Sequence, residues 1–399
     1  MLFVLEYEQN HPMKFALLFF FLSLSICFSQ NQHEGFLLDS ETKEPIEFVN
    51  IYNGKDFTIS NEEGRYAFST SLDSIVFYRI GYKTFKTTFD QLKDTLFLNK
   101  SVFELNEVVV TNAKTIYDRI KDSVATNYLL EPHTETFFLR TLLKKNNEIV
   151  RLQDVQGRLR RKTSIYAGNL ELEKKDFEVE IQNMRKIGVS KDEDDTYFIF
   201  PSFHNIFKEF VRLNAMGPDF EVTEQPSVDE LKTRVDFKSN LPETSGRTFG
   251  HYIINSLDNA ILFFNAKVIP FHSEKEKSKR IESRLLENKV SIFFKEDPNI
   301  GLYFMNSGKR EGKVEVSGPN NSYTNVYEMR IILTTSKSFG RNDIKSNVNE
   351  HKDIFKLKHR YNADYWNSQN QLLLTEEMQE FIKRMGEENK EFKVKSNMN

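Results

Sequence analysis

Eight histidines and 58 acidic residues are the raw material for acid–base or metal chemistry in this 399-residue chain. A zinc hydrolase would show His-x-x-Glu with a distant histidine, or two histidines one helical turn apart. No histidine here has glutamate at +3, and none is spaced His-x-His or His-x-x-x-His. The Gly-x-Ser-x-Gly elbow of common hydrolases, the Walker loop and Gly-x-Gly-x-x-Gly are all missing. Asp192-Glu193-Asp194-Asp195 lacks the alternate spacing and sixth-position glycine of a calcium loop, so it reads as a polar loop. His251, beside Gly250, and His204, in an apolar segment, read as core or edge histidines. The basic run Arg158, Arg160, Arg161 and Lys162 reads as a solvated strand end rather than an anion site. No catalytic residue, metal ligand or cofactor is expected.

One apolar constellation stands out. Ser202 can cap a helix running to Ala215, with Phe203, Ile206, Phe207, Phe210 and Leu213 on one face. Such a stripe packs a helix onto a sheet, or it lines a pocket for an apolar ligand. On the second reading Phe203, Phe207 and Phe210 would be joined by Phe263, from the run Ile261-Leu262-Phe263-Phe264.

Positioning these residues requires an ordinary globular chain: 39% hydrophobic, 28% charged, formal charge −3. Near-neutrality argues against a dedicated nucleic-acid binder. At the N-terminus, Met13-Lys14 precedes an apolar run of 12 residues, Phe15 to Ile26, and then Cys27-Phe28-Ser29-Gln30. This reads as a secretory signal peptide over residues 1–29, cleaved between Ser29 and Gln30. The run is shorter than the roughly 20 residues of a spanning helix, so no transmembrane span is expected in the mature chain. Acylation of Cys27 is the competing processing, disfavoured by the bulky Ile26 before it. Glu6 and Glu8 do not suit a leader, leaving Met1 and Met13 both open as the start. Cleavage would remove the only cysteine. An exported chain without disulfides then relies on core burial, for which 36 Phe and 15 Tyr supply material.

Residues 30–111 alternate short apolar runs with turn signals. Expected strands are Gly35–Asp39, Ile46–Tyr52, Arg65–Phe68, Ser74–Tyr78, Thr95–Leu98 and Glu107–Val110. Thr42-Lys43-Glu44-Pro45 and Asn61-Glu62-Glu63-Gly64 are the expected turns. Six or seven strands in so short a span point to a β-sandwich. The succession Gly35-x-x-x-Asp39, Pro45-Ile46-x-x-Val49-Asn50-Ile51, Asn61-Glu62-Glu63-Gly64-x-Tyr66-x-Phe68, Ile80-Gly81-Tyr82-Lys83 and Glu107-Val108-Val109-Val110 resembles the carboxypeptidase regulatory-like domain. That resemblance covers about a fifth of the chain. It implies a transthyretin-like β-sandwich and a Gram-negative envelope setting. Asp56-Phe57-Thr58-Ile59-Ser60 departs from the family's usual Gly-Thr or Gly-Ala before the Thr-Asn turn. The resemblance implies no catalysis, since the catalytic domain of zinc carboxypeptidases is separate. The same domain precedes TonB-dependent receptors, but the chain after Thr111 is too short for a barrel of some 22 strands.

Residues 112–399 read as a second, β-rich α+β domain of unknown function. A helix with Ile116, Ile120 and Val124 on one face runs to about Leu130, followed by a hairpin, Thr136–Leu143 and Glu148–Leu159. From Thr248 a meander is expected: His251–Asn255, Ala260–Ile269, Val290–Phe294, Gly301–Met305, Lys313–Ser317 and Tyr323–Thr334. Ser307-Gly308 is read as a turn within it. Ser273–Lys289 reads as a solvated helix or hairpin extension, and Thr375–Met385 as a C-terminal helix. This half resembles, more weakly, envelope proteins that carry the regulatory-like domain at their N-terminus. The strand order suggests a curved open sheet with helices on one face, similar to lipoprotein-carrier folds.

The fold class expected is therefore mainly β. The function expected is a non-enzymatic binding or scaffolding module of the periplasm or cell envelope, with outer-membrane association open. Its partner would be an envelope protein or polymer. A periplasmic carrier of a lipid or acyl chain is the alternative, and a hydrolase with an unfamiliar site a distant third.

Overall fold

The computed structural model describes residues 31–101, 109–111, 113–165, 176–190, 198–211, 220–226, 231–240, 246–270, 276–277, 281–297, 299–318, 322–337, 344–386 and 393–398. The expected leader, Asp192–Asp195, Glu107, Val108, Leu213 and Ala215 lie outside them, as does the side chain of Ile116. The chain is mainly β and falls into two compact units, residues Met1–Lys100 with Asn370–Leu373, and the remainder.

The first unit holds β1 (Asn31–Asp39), β2 (Asn50–Tyr52), β3 (Phe57–Ile59), β4 (Arg65–Thr70), β5 (Ser74–Tyr78), β6 (Phe85–Thr88) and β7 (Thr95–Leu98). They form two small sheets, β4-β1-β7 and β3-β2-β5-β6, sharing a core of Leu37, Val49, Ile51, Tyr66, Phe68, Phe77 and neighbours. Gly64 takes φ +70° in the Asn61–Gly64 turn, and Asn61 Oδ1 closes it by accepting from the backbone of Glu63 and Arg65. The expected strand Ile46–Tyr52 is extended only from Asn50. Phe48 sits at φ +57°, and Ser60 supplies the missing partners: its hydroxyl donates to Ile46 O and accepts from Val49 N. Ile46, Phe48 and Val49 are buried even so. Asn370 and Gln371 add carbonyls that accept from Thr58 Oγ1 and Ile59 N.

The second unit contains β8 (Val109–Thr111), α1 (Ala113–Asn127), β9 (His133–Lys145), β10 (Glu148–Arg161), β11 (Phe177–Ser190), α2 (Phe203–Val211), β12 (Phe220–Pro226), β13 (Lys232–Ser239), β14 (Arg247–Asn255), β15 (Ile261–Ile269), β16 (Glu276–Lys277), β17 (Glu282–Asp297), β18 (Leu302–Ser317), β19 (Thr324–Lys337), α3 (Ala363–Ser368), α4 (Glu376–Gly386) and β20 (Lys393–Ser396). Among the described residues the strands build one open, antiparallel, thirteen-stranded sheet in the order β20-β11-β10-β9-β19-β18-β17-β15-β14-β13-β12-β8, with β16 on β17. The strand read at Glu107–Val110 as the last of the small sandwich is found at Val109–Thr111, pairing with β12 at the end of this sheet. β11, β12 and β13 were not legible in the sequence.

Strand alternation gives the sheet two distinct faces. On the inner face, Phe137, Leu139, Val155, Leu159, Val179, Val235, Tyr252, Phe264, Met305 and Leu333 join Ile120 and Val124 of α1 and the aromatic stripe of α2 in one core. On the outer face of β9–β11, Leu142, Leu152 and Ile187 pack under Met378, Phe381 and Met385 of α4, and Phe138 meets Trp366 of α3. Helices thus cover both faces, where one was expected, because β9–β11 carry apolar side chains on the outer side as well. Asn146 and Asn147, at φ +50° and +71°, make the two-residue turn of the β9–β10 hairpin.

Ser307-Gly308 is not a turn. β18 runs unbroken through it, and the glycine is there because Phe210 of α2 lies against it. A Cβ at Gly308 would stand 2.5 Å from Phe210 Cδ1. Gly308→Ala should therefore lower stability by about 1–3 kcal/mol. Urea unfolding should show a lower midpoint at unchanged slope, partly restored by Phe210→Leu; an unchanged midpoint would contradict the close approach.

Candidate binding face

The pairing registers align one row, polar at every position but Ile332, across ten strands of the outer face. From β12 to β11 it reads Thr223, Asp236, His251, Asn265, Ser291, Lys309, Ile332, Arg140, Asp154 and Arg185, each directly opposite the next. Residues opposite one another in an antiparallel pair project on the same side, so the row is one line of side chains. A second line runs beside it: Glu221, Lys238, Phe249, Lys267, Lys289, Glu311, Arg330, Leu142, Leu152 and Ile187. Both lines are half-buried or exposed over β12–β18 and become fully buried where α3 and α4 roof β9–β11.

At the roofed end the row closes into a buried ion cluster. Arg140 grips Asp154 through Nε and Nη2, at 2.8 and 3.0 Å, while Arg185 Nε and Nη2 reach Asp154 Oδ2 at 2.9 and 2.6 Å. Burial pushes the Asp154 carboxyl up, but the two guanidiniums outweigh it and hold the group below the ordinary carboxylate range. The Arg185 guanidinium also lies 4.6 Å from the Trp366 ring centre, tying α3 to the sheet.

At the open end a depression of about 420 Å³ is lined by Glu221, Thr223, Arg234, Asp236, Lys238, Phe249, His251 and Asn265, among others. Its charges cancel: Arg234 holds Asp236 through Nε and Nη2, and Lys238 pairs with Glu221 at 2.8 Å. Burial, reinforced by Arg234 and opposed by Asp236, pushes the His251 pKa down from 6.5 to about 4, so the imidazole is neutral at pH 7. A second basin, of about 210 Å³ over β17–β9, is lined by Lys144, Glu287, Lys289, Glu311, Lys313, Glu328 and Arg330. These too are paired, as Lys289–Glu287, Arg330–Glu311 and Lys313–Glu328.

The structure separates the four aromatic residues that the sequence suggested as one ligand lining. Phe203, Phe207 and Phe210 come together on α2, each at most 1% exposed, against Phe137, Phe177 and Gly308. Phe263 is on the opposite face, in ring contact with His251 and Phe293. It is Phe264 that joins the inner core, because neighbouring strand residues alternate sides.

Within the basic run, Arg160 and Lys162 are exposed as expected, and Arg158 and Arg160 face Glu180 and Glu178. Arg161 is the exception, fully buried with Nη2 2.6 Å from Glu135 Oε2, beside His133. His204 is buried against the rings of Phe177 and His351. Among the described residues no serine or threonine hydroxyl bonds a histidine side chain, and no three His, Asp or Glu side chains gather as metal ligands. Compared with known proteins, the chain matches no family model and no curated protein.

Two outcomes follow from the row. Asp154→Asn leaves two buried guanidiniums facing a neutral amide and should cost about 3–5 kcal/mol. Its companion signal is altered emission from Trp366, the only tryptophan; normal stability and emission would contradict the ion cluster. His251 is depressed in the folded chain, so the unfolded chain binds more protons between pH 6.5 and about 4 and stability falls as pH drops through that window. His204, also depressed by burial first, by His351 and Lys208 next, adds in the same direction. Thermal unfolding of His251→Asn should show a smaller loss across that window than the parent chain.

Proposed function

We propose that this chain is an exported, non-enzymatic binding module of the cell envelope that engages its partner through the outer face of the large sheet. The observation that carries the reading is the in-register polar row, half-exposed over β12–β18 beside the 40% exposed ring of Phe249. An extended partner lying across the strands would meet side chains at the inter-strand spacing of about 4.8 Å. Export is supported by the apolar run Phe15–Ile26 with small residues at Cys27 and Ser29, and an envelope setting by the motifs shared with the regulatory-like domain. Among the described residues no helix is long and apolar enough to cross a membrane. The carrier reading has less support. Its aromatic set is split between two faces, and Phe203, Phe207 and Phe210 are already occupied by the sheet.

The test is native mass spectrometry of the full chain purified from its own envelope fraction. The expected result is a macromolecular partner that Phe249→Ala combined with Lys289→Ala releases. A lipid-sized mass retained by that variant would favour the carrier, and a chain that never retains a partner would contradict the proposal.

A further inference from the structure

We infer that the depression over β12–β15 is a subsite for one ring of a neutral glycan chain. This rests on the outer face being the binding face and adds the chemical class of what it binds. The two cations and two anions of the basin are spent on each other, Arg234 on Asp236 and Lys238 on Glu221. A charged ligand would find each of these groups already facing an opposite charge, whereas a neutral one needs no charged partner.

Among the described residues the His251 imidazole and the Thr223 hydroxyl have no hydrogen-bond partner, and Asn265 uses only its Nδ2, which donates to Ser291 Oγ at 2.7 Å. Asn265 Oδ1, the neutral imidazole and the Thr223 hydroxyl therefore offer both donors and acceptors toward the same basin. Thr223, His251 and Asn265 stand in one cross-strand row with Asp236 between the first two, so their spacing is fixed by the sheet rather than by a loop. A ring carrying several hydroxyls, each both donor and acceptor, matches this mixture better than a ligand of one hydrogen-bonding sense.

The third element is Phe249, directly opposite Lys238 and Lys267 and 40% exposed at the rim. An exposed aromatic face beside polar groups suits the apolar C–H face of a pyranose. The depression, about 420 Å³, has room for one such ring with neighbours along the chain left in solvent.

The experiment is isothermal titration of the full chain with maltohexaose, cellohexaose, mannohexaose and xylohexaose at millimolar concentration, alongside polygalacturonate as an anionic control. The expected result is saturable binding of a neutral hexasaccharide, insensitive to added salt and weakened about tenfold or more by Phe249→Ala and by Asn265→Ala. Both variants should keep the parent's circular dichroism; the unfolding midpoint should hold for Phe249→Ala, at the rim, and drop only slightly for Asn265→Ala, which loses the bond to Ser291 Oγ. Three outcomes overturn it: no neutral hexasaccharide binds, binding survives both substitutions, or only polygalacturonate binds and salt abolishes it. If the hexasaccharides fail while a partner from the envelope fraction is still released by Phe249→Ala with Lys289→Ala, the glycan class falls and the binding face stands. If both fail, the face falls with it.

Discussion

A slip of one residue at any ladder of the thirteen-stranded sheet would exchange its two faces, and everything else in the second unit depends on that not happening. With β15 displaced by one position, Phe264 and Ala266 would leave the inner core while Phe263, Asn265 and Lys267 entered it. The cost is prohibitive because the inner face is apolar along almost its whole width and the outer face carries paired charges. The register is also pinned from above. Gly308 accepts only the Phe210 ring, and Gly157 lies against the backbone of Glu180, where a Cβ would come within 2.2 Å of its carbonyl oxygen. The close contacts and the hydrophobic pattern therefore select the same alignment, as expected of a sequence that specifies one structure.

From this alignment the contrast between the two ends of the outer face follows. Over β9–β11 the second line is Leu142, Leu152 and Ile187, and water must be excluded there, so α3 and α4 cover it. Cover drives the first line into low dielectric, where isolated charges are untenable; Arg140, Asp154 and Arg185 survive because each guanidinium finds the same carboxylate. Over β12–β18 the second line is Lys, Glu and Phe instead, so nothing demands a roof and the first line stays accessible. One row is a structural lock at one end and a solvent-accessible surface at the other.

The parts of this architecture that sequence conveys are those whose signals are local. The Asn146-Asn147 turn, the Ser202-capped aromatic helix, the Gly64 turn and the α4 helix each declare themselves within a few residues. What stayed hidden depends on distant partners. Gly308 looks like turn chemistry until Phe210, about a hundred residues away, is seen against it. Arg161 looks solvated among its basic neighbours until Glu135 arrives from the paired strand. β12 and β13, Phe220–Pro226 and Lys232–Ser239, alternate between apolar and charged residues but carry few apolar residues each, and their ladders supply what their composition does not. The candidate site is the extreme case. Thr223, Asp236, His251 and Asn265 share no motif, since their only relation is register across four strands.

That origin bears on what such a site can do. Catalytic constellations need reacting groups held at hydrogen-bond distance with perturbed proton affinities, commonly on strand ends and loops where backbone can be tailored. Here the row runs through strand interiors, its charges are internally neutralised, and His251 is held neutral rather than poised near pH 7. A sheet interior gives regular spacing and rigidity without convergence on one point. Recognition of a repetitive partner uses regular spacing, and chemistry at a single bond does not. An internally neutral surface also surrenders electrostatic steering, so association would depend on short-range fit and be slower and less salt-sensitive than that of a charged groove.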